Sequence, residues 1–183
     1  HHDGMHFFPL PFGSDNPVRG LLAINHEYSD DGLLHAGGMD PWNAAKVRKS
    51  QAAHGVSVIE IELRNGAWSV VRPSAYARRV TATTPMRIAG PAAGHASMRT
   101  VADPAGTMVL GTINNCANGY TPWGTYLTCE ENYLNVISRA AGDDAKRTAV
   151  EVKALGRYGL PQGRNSPYRW DTAGADDLYA RWN

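Results

Sequence analysis

Residues 56–71, VSVIEIELRNGAWSVV, constrain this chain more than any other run. Ile59, Ile61 and Leu63 alternate with Glu60 and Glu62, the period of a strand with one wet face. Asn65-Gly66 supplies the two positive-φ positions of a tight hairpin, and 68–71 reads as the return strand. Such a hairpin belongs to antiparallel all-β architecture, sandwiches and propellers among them. The 19 glycines and 11 prolines of the 183 residues fall between short apolar runs, which leaves little room for long helices. The expected fold is all-β dominated with a few inserted short helices.

The stretch 21–27, LLAINHE, reads as a buried strand entered through a turn at Gly20. Asn25-His26-Glu27 then stands at its C-terminal end, either as a functional group or as a polar strand end facing water. Asp40-Pro41 matches an N-cap with proline at the first helical position. A helix follows over 44–53, with Lys46, Arg48 and Lys49 on its solvated face and Gly55 as its stop. The period that makes 56–63 a strand also assigns Glu60 and Glu62 to solvent. Residues 85–95 form a loop whose His95 either points into a site or is structural. Stretches 98–101 and 107–113 bracket an Asp103-Pro104 turn as a second hairpin. Asp143-Asp144 caps a helix to about Leu155, closed by Gly156. The abrupt apolar start near Phe7-Phe8-Pro9-Leu10 and the ending Ala180-Arg181-Trp182-Asn183 lead us to expect a portion of a longer protein, with 1–183 as a single partial domain.

Composition excludes several partners. Net charge is +1 without a basic cluster, so no nucleic-acid footprint is expected. No apolar run approaches the ~20 residues of a membrane span. Cys116 and Cys129 are the two cysteines; they cannot complete a zinc tetrahedron alone, and no CxxC or HExxH pattern supplies further ligands.

Both cysteines lie in 114–133, NNCANGYTPWGTYLTCEENY. Cys116 follows a β run at the mouth of a turn. As a nucleophile or ligand it would need to be a thiolate, and no Lys or Arg adjoins it; a bound cation would deprotonate it outright. Glu130 and Glu131 close the next strand and point to opposite sides if it continues. Carboxylates suit hard cations such as Ca²⁺, and a thiolate suits softer iron or zinc. A mixed site of Cys116, Glu131 and Glu27 is one reading; a surface acid pair beside an inert buried cysteine is the other. Cys129 reads as a small core residue, and a Cys116–Cys129 disulfide would exclude the metal reading. Trp123-Gly124-Thr125 forms a tight turn whose indole packs the loop.

The run GTINNCANGYTPWGTYLTCEENY closely resembles the PhoX-type alkaline phosphatases, as do NPVRGLLAINHEY, AAHGVSVIEIELRNGAWSVV and SAYARRVTATTPMRIAGPAAGH. The resemblance implies part of a β-propeller and a Ca²⁺-dependent hydrolysis of phosphate monoesters, releasing inorganic phosphate. It implies Ca²⁺ and Fe³⁺ in an oxo-bridged cluster. By position Cys116 matches the iron-binding cysteine, and Glu27, Glu130 and Glu131 match metal-binding glutamates, Glu131 more closely than Glu130. It further implies export by the twin-arginine route to the periplasm or medium, small-molecule phosphate esters as partners, and a monomer. Two other functions compete with this one: a non-catalytic calcium-binding propeller module or inactive fragment, and a cysteine hydrolase pairing Cys116 with His26 or His95.

Overall fold

The computed structural model describes residues 1–173; the ending 180–183 lies outside the described residues. Strands dominate, in the order β1 His2–Pro9, β2 Arg19–His26, β3 Gly55–Arg64, β4 Ala67–Val70, β5 Arg78–Val80, β6 Pro85–Arg87, β7 Met108–Leu110, β8 Asn115–Tyr120 and β9 Tyr126–Glu130. The α-helices are short: α1 Asp31–Leu34, α2 Ala44–Ala53 and α3 Ala149–Arg157. The chain divides into two compact units.

The first unit comprises His1–Ser29, Gln51–Ile88 and Met108–Glu131. Its five-stranded sheet runs β1-β2-β3-β4, with β5 also pairing β3; β6-β7 and β8-β9 are separate two-stranded ribbons. Every pairing is antiparallel. The hairpin expected at Asn65-Gly66 forms, with φ of 52° and 78° there. Period two then sorts β2: Leu21, Ala23 and Asn25 are all buried, so the apolar face ends in a polar side chain just before Glu27.

Two expectations for this sheet fail. Gly20 lies inside β2 and makes no turn; a Cβ there would stand 2.4 Å from the Phe7 ring, so glycine serves close packing. Glu60 does not face water. It is only 3% exposed, gripped by the Arg19 guanidinium at 2.6 Å and the Ser74 hydroxyl at 2.5 Å. Alternation says which residues share a face; it does not say that an arginine on the neighbouring strand covers that face.

The second unit comprises Asp30–Ser50, Ala89–Thr107 and the described residues from Asn132 onward. Asn43, not Asp40, caps α2: its Oδ1 accepts from the backbone N–H groups of Ala45 and Lys46. Lys46 and Lys49 fold back onto the carbonyls of Gly38 and Leu34. The segment 98–101 makes no strand; Ala96–Met98 is a 3-10 turn, and the partner of β7 is β6. The helix after Asp143-Asp144 is likewise displaced. Those carboxylates hold Arg139, and α3 starts at Ala149 behind a Thr148–Glu151 capping box, with Gly156 inside it. A buried polar chain also forms here: the Asp31 carboxylate takes His35 Nε2 at 3.1 Å and the Ser50 hydroxyl at 3.1 Å, while Ser50 Oγ accepts from Trp170 Nε1 at 3.0 Å.

Candidate metal centre

The ligand atoms of Asp3, Glu27 and Cys116 converge within 4.8 Å of one another in the first unit. Two β-bulges bring them there. Along β1 the register steps three residues from His2 to Met5 while β2 steps two, from His26 to Ile24. Along β8 it steps three from Asn115 to Asn118 while β9 steps two, from Glu130 to Thr128. The extra residue in each strand falls at Asp3-Gly4 and at Cys116-Ala117, and a bulge re-aims the side chains it carries. Gly4 lets the bulges meet: a Cβ on it would stand 2.5 Å from the Cys116 carbonyl oxygen. Glu27 arrives from the corner after β2, where its own carbonyl accepts from His54 Nδ1 at 2.9 Å and Asn114 Nδ2 at 3.2 Å.

Cys116 is buried, and its thiol pKa is pushed far up. Burial is the largest cause, followed by hydrogen bonds to Glu131 and Glu27 and by the charge on those carboxylates. A free thiol so placed stays protonated and is a poor nucleophile. Burial also holds His26 neutral, its pKa lowered to about 4, with Nε2 at 2.6 Å from the Ser57 hydroxyl. His95 is an exposed cap, its Nδ1 accepting from Ser97 N–H. Neither histidine is placed as the base of a cysteine hydrolase.

The expected residues separate in this geometry. Glu27 stands within 4.8 Å of the Cys116 thiol, Glu131 is near enough for its carboxylate to push the thiol pKa up, and the thiol itself donates to the Asn114 carbonyl at 3.5 Å. Glu130 instead accepts the Ile113 backbone N–H at 3.0 Å. Both cysteines are free, so the disulfide reading is excluded, and Cys129 is exposed rather than core. The Trp123 indole is 79% exposed and does not pack the loop. Asp3 was missed by sequence reasoning. Its one signal is Gly4, a glycine inside a strand and hence a bulge mark. Nearby, Asn114 holds a left-handed φ of 46°, and its buried Oδ1 has no hydrogen-bond partner.

The donor set fits a cation. Carboxylates gathered around a buried thiol oppose its ionisation, and a bound cation would add an attraction to each anion that outweighs their mutual repulsion. Carboxylate oxygens satisfy a hard ion and a thiolate a softer one.

A family model described as alkaline phosphatase PhoX matches residues 1–178. No curated protein matches the chain. Among solved structures the fold matches Pseudomonas fluorescens PhoX in complex with vanadate, a transition state analogue, with a TM-score of 0.80 and 44% identity. The match covers 94% of this chain and 28% of that one, so this chain spans little more than a quarter of that relative's length.

Proposed function

The chain belongs to the PhoX alkaline phosphatase family, and from that premise we propose that it supplies part of the metal centre of a phosphatase releasing inorganic phosphate from phosphate monoesters. The convergence of Asp3, Glu27 and Cys116 within 4.8 Å supports this reading. In it Cys116, Glu27, Glu131 and Asp3 would hold iron and calcium ions. Glu130, bound to the Ile113 backbone, would shape the turn that presents Glu131. Bound cations would neutralise the phosphate oxygens and activate water for attack.

The residues of the chain have their own tasks. The Cys116 thiol, which donates to the Asn114 carbonyl at 3.5 Å beside the Glu27 and Glu131 carboxylates, would hold a cation as its thiolate. His54 and Asn114 fix the backbone that carries Glu27. The 1–183 segment would form one partial domain of a β-propeller within a monomer exported to the periplasm or medium, acting on small phosphate esters.

Elemental analysis of the purified chain, with assay against a generic phosphate monoester, tests the proposal. Iron and calcium together, lost along with any hydrolysis in Cys116→Ser and Glu131→Gln, are expected. Calcium without iron or hydrolysis would favour a non-catalytic calcium-binding module. Full metal content in both variants would refute the site.

A further inference from the structure

We propose that Asn25 and the Tyr126 hydroxyl form a positioning node that sets where Cys116 stands relative to Asp3 and Glu27. The inference rests on the metal-centre reading above, but its basis is the two bulges. A bulge leaves backbone groups without ladder partners, and a buried carbonyl without a partner is costly.

Both bulges are satisfied from one place. Asn25 is fully buried. Its Nδ2 donates to the Cys116 carbonyl at 2.8 Å and the Ala117 carbonyl at 3.3 Å, the two residues of the β8 bulge. Its Oδ1 accepts from Tyr126 OH at 2.9 Å and Thr128 Oγ1 at 3.0 Å. Two donor protons and two lone pairs are thus all used, which is the full capacity of an amide. The Tyr126 hydroxyl has a single proton and two acceptors, Asn25 Oδ1 and the Gly4 carbonyl at 3.1 Å. Gly4 belongs to the β1 bulge that aims Asp3. One amide and one phenol therefore tie together the strands carrying Asp3, Glu27 and Cys116. A leucine of similar size would keep the packing but take the donor from the Cys116 and Ala117 carbonyls, while Tyr126 OH would keep only the Gly4 carbonyl. An aspartate would lose both donors to the β8 bulge. Asn25 and Tyr126 act through the ligands and touch no cation themselves.

The test uses the full chain as Asn25→Ala and Tyr126→Phe, with Ser74→Ala as a variant that loosens the same sheet away from the centre. Calcium added alone is titrated into each at a temperature where all are folded. Outer-sphere partners of metal ligands are worth about 10-fold or more in affinity, and that loss is expected in both node variants and not in Ser74→Ala. Alkylation by iodoacetamide is then followed in chelator, with exposed Cys129 as the internal reference. The Cys116-to-Cys129 rate ratio is expected to rise severalfold in both node variants. If Asn25→Ala does not fold, Tyr126→Phe decides alone. Calcium affinity and alkylation ratio both unchanged would overturn the node while leaving the metal reading intact. No calcium bound by the parent, with the ratio still rising, would sink the calcium-binding reading and keep the node as the device that positions Cys116.

Discussion

His54 Nδ1 lies 2.9 Å from the carbonyl oxygen of Glu27, and the ring is wholly buried. A carbonyl accepts, so Nδ1 carries the proton and Nε2 faces the Ser29 hydroxyl at 3.4 Å. Burial keeps the imidazole neutral, its pKa lowered to about 4. With Asn114 on the same oxygen, both lone pairs of the Glu27 carbonyl are used. His54→Ala removes a donor and opens a cavity. It is expected to cost about 2–4 kcal/mol in denaturant unfolding. His54→Gln, which keeps an N–H in reach, should lose clearly less. Equal losses would mean that packing alone matters at this corner.

Glu60 predicts the acid limb of stability. The Ser74 hydroxyl and then the Arg19 guanidinium hold its carboxyl below the ordinary glutamate value of 4.5. As pH falls from there, the unfolded chain takes up the proton first, so this contribution is present above that value and is lost on acidification. Unfolding curves across pH for the parent and Glu60→Gln should therefore converge as pH drops through that window. A gap that stays constant would show that the Glu60 charge is not coupled to folding.

The Thr148–Glu151 capping box gives a sharper local test. Thr148 Oγ1 accepts the Glu151 backbone N–H at 3.3 Å, and Glu151 reaches back to the Thr148 N–H at 2.7 Å. Thr148→Ala should lower stability by about 1 kcal/mol, and Asp144→Ala should leave the helicity of α3 unchanged. Loss of α3 in Asp144→Ala, followed by circular dichroism, would return the cap to the acidic pair.

Much of the scaffold was readable from local rules. Alternation over 56–63, Asn65-Gly66 and the apolar run before Asn25 each encode their structure within a few residues. What failed depended on partners distant in sequence. The burial of Glu60 needs Arg19, 41 residues away. The aim of Asp3 needs a bulge pressed against Cys116 through Gly4. The task of Asn25 needs Tyr126 and Thr128, more than 100 residues on. Cys129 reads as core because its neighbours are apolar, yet the inward parity of β9 belongs to Tyr126 and Thr128, and Cys129 takes the outer face with Leu127. The Cys116 motif was legible as chemistry because its residue types are rare together. The convergence of Asp3 on it was not, because one acid beside one glycine is common.

Metal linkage tests that convergence directly. The proposed ligands come from β1, the residue after β2, β8 and the residue after β9, so the unfolded chain would have no preformed site. A cation that binds only the folded state stabilises it by about 2.7 kcal/mol at one hundred times its dissociation constant. Calcium with iron should therefore raise the melting temperature of chelator-treated protein, and chelator should reverse the rise. Asp3→Asn keeps the size of the side chain and removes one of the charges gathered at Cys116. In chelator it should melt no lower than the parent, since like charges around a buried site are relieved. With metal its rise should be much smaller. Differential scanning fluorimetry on the two proteins in parallel reads both effects, and an undiminished metal-dependent rise in Asp3→Asn would remove Asp3 from the centre.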